Sequence, residues 1–304
     1  MLYLLSCSFV FLPTEVQAQA KVGTTGAQFL ELGVSARAMG MAEAFTAVTD
    51  DITSVYYNPA GLTYLYGREA AFTYIDMPAG VGHGFAAIGF PLEAVGGVLG
   101  ISTIALTSGD MDVWDYSGAT GQIFSYNDFA LAVSYGRYLT DRFSVGVTIK
   151  YIGEFSYDYS SNGWGADVGT IYNTGFRGFK IAMVISNFGP DMKFIKNAYP
   201  LPIDFKFGGS INVIEGVDHV LTFAAEGSHP SDNLEQYNSG LEYVFKDRFI
   251  LRAGGRFNYD VDGFTLGGGL RLPLGEDREI GVDYAFQDFG VLTEVHRFTM
   301  IIAF

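Results

Sequence analysis

The chain has 304 residues, enough for one large domain or two ordinary ones; 49% are hydrophobic and only 17% are charged, below the usual quarter. Eighteen basic against 33 acidic residues leave a net charge of −15, which argues against a phosphate-binding surface and so against nucleic acid as a partner. The 39 glycines and 15% aromatics suit a β-protein with an apolar exterior, and the single cysteine, Cys7, excludes a disulfide framework and a cysteine-based metal site.

Residues 1–20 read as a secretory signal. An apolar run from Leu2 to Leu12 is followed by the small residues Ala18 and Ala20, and cleavage is expected after Ala20. The basic leader is missing. Leu4-Leu5-Ser6-Cys7 is a poor lipoprotein box, because the apolar run is short before Cys7 and continues past it. The mature chain would then hold no thiol. No later segment offers about 18 uncharged apolar residues, so a spanning helix is excluded. A membrane-spanning form must therefore be a closed barrel.

Residues 21–69 differ from the rest of the chain. Between Gly33 and Leu65, Ala36, Ala38, Gly40, Ala42, Ala44 and Ala47 form a run of small residues with few charges, and Ser35 stands where a helix N-cap would. Asp50-Asp51 closes the run, and Asn58-Pro59-Ala60-Gly61 is a turn signal. A small, partly helical plug ahead of a β-domain is expected. The run Ser35-Ala36-Arg37-Ala38-Met39-Gly40-Met41, continued to Asp51 and then Tyr56-Tyr57-Asn58-Pro59-Ala60-Gly61-Leu62, resembles the N-terminal signature of the PorV/PorQ family. That family is similar to the FadL-type outer-membrane transporters, in which an Asn-Pro-Ala segment belongs to a hatch inside the barrel. The resemblance covers about thirty residues. It implies a hatch motif of Asp50, Asp51, Asn58, Pro59, Ala60 and Gly61.

From Ala70 onward the pattern has period two. Phe143, Val145, Val147, Ile149 and Tyr151 alternate with Ser144, Gly146, Thr148 and Lys150; Phe249, Leu251, Ala253, Gly255 and Phe257 alternate with Ile250, Arg252, Gly254 and Arg256. Fourteen strands are expected, at 70–77, 82–91, 96–106, 126–139, 142–156, 162–173, 178–188, 202–213, 218–229, 236–246, 248–258, 263–273, 278–288 and 295–304. Many reach about ten residues, the span of a tilted transmembrane strand. Tight charged turns such as Lys246-Asp247-Arg248 alternate with longer loops such as 107–125 and 187–201, and the last strand ends on Phe304. The fold expected is all-β: a transmembrane antiparallel barrel over residues 70–304, around the plug.

The polar face of these strands would line the lumen with Lys150, Asp167, Glu226, Glu242, Arg252, Arg256, Arg271 and Asp283. These charges either form a path for a ligand or pair with each other and with the plug, and the second reading carries more weight, because burying them unpaired costs several kcal/mol each. Asp110, Asp112 and Asp115 have oxygen ligands for a calcium ion, but their spacing does not complete a known loop. His83, His219, His229 and His296 are scattered singly and read as loop or interfacial residues. Gly267-Gly268-Gly269 lies within a strand pattern; it marks close backbone approach rather than a phosphate cradle, and no cofactor is expected. Nothing argues for an enzyme.

Resemblance to PorV implies a non-enzymatic accessory of type IX-like protein secretion, with a translocon or cargo protein as partner. Resemblance to FadL implies uptake of hydrophobic small molecules. A structural barrel is the third reading. In each, the barrel sits in the lipid of the outer membrane.

Overall fold

The computed structural model describes residues 22–259, 263–275, 278–288, 290 and 294–304. The expected signal segment with Cys7 lies outside them. The strands are β1 (Glu69–Asp76), β2 (Gly82–Leu92), β3 (Gly97–Thr107), β4 (Met111–Asp115), β5 (Gly118–Phe124), β6 (Tyr126–Thr140), β7 (Phe143–Ser156), β8 (Tyr159–Asn173) and β9 (Lys180–Phe188). They continue as β10 (Met192–Phe194), β11 (Asn197–Tyr199), β12 (Asp204–Glu215), β13 (His219–Pro230), β14 (Gln236–Phe245), β15 (Phe249–Phe257), β16 (Gly263–Pro273), β17 (Glu279–Asp288) and β18 (Glu294–Ala303). Fourteen of these close into one antiparallel barrel in the order β1-β18-β17-β16-β15-β14-β13-β12-β9-β8-β7-β6-β3-β2. Closure is made by β1 on β18, from Glu69 opposite Ala303 to Asp76 opposite His296, so the barrel sheet has no free edge. The pairs β4-β5 and β10-β11 are separate two-stranded hairpins within the β3–β6 and β9–β12 connections.

The alternation of each strand sorts its side chains to two environments. On β7, Val147, Ile149 and Tyr151 are exposed on the outside, whereas Ser144, Thr148 and Lys150 are buried within. Leu251, Phe264, Leu266, Val282, Phe298 and Met300 continue the outer surface around the barrel. An apolar exterior and a polar, packed interior is the reverse of a water-soluble protein and is the arrangement of a membrane-spanning barrel.

Connections at one end are short: 93–96, 141–142, 174–179, 216–218 and 246–248. The connections containing the β4-β5 and β10-β11 hairpins lie at the other, the loop end. Sequence alternation misses both hairpins because they are short, and the β4-β5 pair is exposed on both faces.

The N-terminal segment fills the lumen. Helix α1 (Ala36–Gly40) lies against β15–β18, and the 3-10 turn Pro59–Tyr64, which comes directly after helix α2 (Ser54–Tyr57), lies against β3, β6, β7 and β8 on the opposite wall. Helix α1 is shorter than its run of helix formers suggests. It is closed after one turn by hydrogen bonds from Ala42 N–H to Met39 O (2.8 Å) and from Glu43 N–H to Ala38 O (2.8 Å), with Ala42 and Glu43 left-handed at φ 55° and 64°. Phe45, Met39, Met41, Ile52 and Leu62 are fully buried between this segment and the wall.

Candidate functional site

The inner segment is seated where the wall has no side chains. Gly136, Gly146 and Gly169 are register partners across β6, β7 and β8. A Cβ on Gly136 would lie 2.7 Å from Pro59 O, one on Gly146 would overlap the Pro59 carbonyl carbon and Ala60 N, and one on Gly169 would overlap Asn58 Oδ1. A second saddle, Gly240 and Gly254 on β14 and β15, receives Met41 and Ala42. Asn58 fastens the first seat. Its Oδ1 accepts from Ala60 N–H (3.1 Å), and its Nδ2 donates to Thr46 O (3.0 Å) and to Thr170 O of β8 (3.3 Å). Gly61 is needed because a Cβ there would meet Thr49 at 2.7 Å or closer.

At the end with the short turns, a chain of ion pairs joins the plug to the wall. Arg37 of α1 donates from Nε and Nη2 to the two oxygens of Glu242 on β14, both at 2.9 Å, and from Nη1 to Asp51 Oδ2 at 2.8 Å and to Asp50. Glu242 also accepts from Arg252 Nε (2.6 Å); Arg252 Nη1 donates to Asp283 Oδ1 (2.6 Å), and Arg271 Nη2 to Asp283 Oδ2 (2.9 Å). Four carboxylates meet three guanidiniums, leaving one net negative charge. Burial alone would lower the Arg37 pKa; the charges of Asp50, Glu242 and Asp51 outweigh it and hold the pKa well above the usual arginine value.

Wall carboxylates also take up amides that the irregular plug leaves without backbone partners. Glu226 Oε2 accepts from Phe45 N–H (3.1 Å) and Thr46 N–H (2.8 Å), Glu69 Oε2 from Ile52 N–H (3.1 Å), and Glu154 Oε1 from Ala27 N–H (3.0 Å). Ala36 N–H donates to Thr299 Oγ1 at 2.9 Å.

At the loop end lies a cavity of about 330 Å³, lined by Leu30, Glu31, Tyr57, Asp204, Lys206 and Arg256 among others. Glu31 is exposed at its mouth. Desolvation by the pocket, then the charges of Asp232 and Asp204, push its carboxyl up to about 7. Beside this cavity the wall is irregular. The β8–β9 register shifts between Ala166 and Val168, and Asn187 adopts φ 60°. Asn187 N–H donates to Asp167 Oδ1 (2.7 Å), which also pairs with Lys150 (2.9 Å). Beyond the shift, the β9–β12 connection covers β8: Met192 packs on Gly163 and Leu201 on Gly165, and Pro200 O accepts from Gly26 N–H of the plug at 2.9 Å.

Of the residues singled out from sequence, Asp50, Asp51, Glu242, Arg252, Arg271 and Asp283 come together in one network. Asn58, Pro59, Ala60 and Gly61 form the seat on the opposite wall. Glu226 holds plug amides, Lys150 and Asp167 pair by the wall irregularity, and Arg256 lines the cavity, its guanidinium 3.8 Å from the Tyr259 ring centre. Asp110, Asp112 and Asp115 are not gathered: they are spread along an exposed extended hairpin, over roughly 16 Å at a strand's rise, and among the described residues no group of three or more His, Cys, Asp or Glu could hold a metal. His83 is neither in a loop nor interfacial. It sits in β2 and is fully buried inside the barrel. Its neighbours in sequence are glycines, so no apolar alternation marks its inward direction. Arg37, Glu43, Glu69 and Arg297 do not stand out in sequence either; the one legible signal is Arg37, a lone charge within Ser35–Met41.

No family model matches the sequence, and no curated protein matches it. Among solved structures the chain is similar to the CymD monoaromatic hydrocarbon channel, with a TM-score of 0.59 and 13% identity over 89% of this chain and 96% of that one. It is similar to a Pseudomonas aeruginosa FadL homologue (TM-score 0.60, 12% identity, 89% and 98% covered) and to the Ralstonia pickettii toluene transporter TbuX (0.58, 11%, 87% and 96%). At these identities the likeness is one of fold: a barrel with the architecture of FadL-type outer-membrane transporters.

Proposed function

We propose that this protein is an outer-membrane channel for the uptake of hydrophobic small molecules, entering at the loop end and leaving sideways through the barrel wall. The observation that carries the reading is the juxtaposition of the loop-end cavity with the β8–β9 irregularity above a plug that closes the straight path. Two of the structural neighbours are named for monoaromatic hydrocarbons and toluene as their cargo, and the shared architecture supports the same class here. Met192 and Leu201 would have to swing away from Gly163 and Gly165 for passage.

The test is a lock. Gly163→Cys with Met192→Cys brings two Cβ positions near disulfide range in a chain whose one cysteine lies in the expected signal. Entry of a hydrophobic dye into cells carrying the protein should stop when the pair is oxidised and return on reduction. Entry unaffected by the lock would refute a side exit there. Entry no greater than in cells without the protein would refute uptake.

The secretion-accessory reading is second. It is favoured by the β4-β5 hairpin, which carries Trp114 and Tyr116 fully outside the barrel wall at 70% and 111% exposure. Recovery of translocon or cargo proteins with the intact chain, lost on deleting 108–125, would support it.

A further inference from the structure

The buried carboxylates of the strands are served unequally. Glu242 and Asp283 are paired with arginines, Asp167 is paired with Lys150, and Glu226 feels the charge of Lys206. Asp128 of β6 and Glu154 of β7 have no such partner. They are 3% and 8% exposed and close enough to repel one another, and among the described residues neither forms an ion pair.

Three strands bring further oxygens to this pair at the loop end. Asp128 is the register partner of Glu154, and Glu154 that of Ser161 on β8. Directly opposed residues on one face have Cβ atoms about 4.5–5.5 Å apart, so the three form a row across β6, β7 and β8. Tyr126, two residues before Asp128, shares its face, and its hydroxyl reaches both carboxyls. One Glu154 oxygen is taken by the plug, accepting from Ala27 N–H at 3.0 Å. Asp128 Oδ1 has no hydrogen-bond partner among the described residues. Neither has Ser161 Oγ, whose residue is 3% exposed and turned to the same inner face.

Two buried carboxylates side by side are costly unless a cation offsets them. We propose that Asp128, Glu154, Ser161 and Tyr126 form a divalent-cation site of the calcium type. Every donor is oxygen, which suits a hard ion rather than zinc or copper, and two carboxylates balance its charge. Calcium takes about six to eight oxygens, so water completes the shell. The set has two carboxylates and two hydroxyls, and so is distinct from a cluster of three or more His, Cys, Asp or Glu, which the described residues lack. With two charged ligands its affinity falls in the range of weak extracellular modules, roughly 0.1–1 mM. The ion holds Glu154 in place for Ala27 and so fastens the outer end of the plug to the wall. This role is independent of what the barrel carries.

The experiment uses the purified protein in detergent, stripped with EDTA, and titrates it with calcium chloride by calorimetry at constant pH. One ion per chain is expected. Asp128→Asn and Glu154→Gln should each weaken binding at least about tenfold. Ser161→Ala and Tyr126→Phe remove one neutral oxygen each and should weaken it by less; they carry the test if a carboxamide variant does not fold. The exposed aspartates are the rival ligands, so changing Asp110, Asp112 and Asp115 together to Asn should leave binding unaltered. At about ten times the dissociation constant, calcium should slow protease cleavage within residues 22–31 about tenfold in the parent, and not in Asp128→Asn. No calcium binding, binding lost in the loop variant but kept in the four wall variants, or cleavage equally fast with and without calcium would overturn the assignment.

Discussion

Replacing Arg37 by Gln should unfasten the plug without unfolding the barrel. The side chains of Arg37, Glu242 and Asp51 are 10%, 6% and 8% exposed, so the Arg37 pairs with the latter two count as buried. The third, with Asp50 at 43% exposure, is screened and adds at most about 1 kcal/mol. Removing one member of a buried pair typically costs about 3–5 kcal/mol. Here Glu242 keeps Arg252, and Asp51 keeps the Thr53 amide at 2.9 Å, which places the cost near the lower figure. About 3 kcal/mol is a factor of roughly 150 in the ratio of seated to unseated plug. The barrel ladder is untouched, so the loss should appear as ion conductance in planar bilayers, while β-structure and heat-modified gel mobility persist. Glu242→Gln should act in the same direction, and the double variant should fall short of additivity by more than about 1 kcal/mol, as directly bonded partners do. A variant that conducts no more than the parent, or additive effects, would show that the network does not hold the plug.

Other parts of the structure lead to three further outcomes. Gly146→Val places a side chain into the Pro59 carbonyl, which backbone cannot yield, so a thiol at Ala60→Cys, shielded in the parent, should become reactive to a soluble maleimide; continued shielding would refute the seat. The Glu31 carboxyl is held up to about 7 against an ordinary 4.5, so the folded state favours its protonated form. Docking of residues 22–31 should therefore be fully retained below about pH 4.5 and weaken as pH rises through 7, seen as faster protease cleavage there at pH 8 than at pH 6; Glu31→Gln should abolish that difference. Ile149→Arg, on the lipid face at 64% exposure, should destabilise folding into vesicles by about 2–4 kcal/mol near mid-depth, whereas the same change at exposed Tyr116 should be neutral.

The barrel was legible because lipid imposes a period of two on every strand. All fourteen expected strands are present, with ends moved by up to about three residues, as at β8, which begins at Tyr159 rather than 162. Hairpins exposed on both faces feel no such constraint, so β4-β5 left no alternation to read. The hatch motif was visible as residue types, but what holds it depends on register. Gly136, Gly146 and Gly169 are far apart in sequence and form one saddle only once β6, β7 and β8 pair. Arg37 carries the network, yet in sequence it is one charge among alanines. His83 and Arg297 become a pair only through their common partner Ile75. Single-residue patterns report which face a side chain takes; they do not report which strand stands opposite.

The two attachments of the plug also set the direction in which it can give way. Near Asp50 it is held by charged, buried pairs that are strong and fail together. Near the cavity it is held by neutral or singly charged hydrogen bonds, Gly26 to Pro200 and Ala27 to Glu154, each worth about 1–3 kcal/mol. The glycine saddles bar sliding, since Pro59 and Met41 are bedded in opposite walls. On the uptake reading, motion would begin with residues 22–31 and with the β9–β12 connection, which Gly26 tethers to the plug. That connection covers the wall irregularity, so releasing the outer part of the plug and uncovering the side of the barrel would be one event, with the inner seal of Arg37 and Glu242 kept shut.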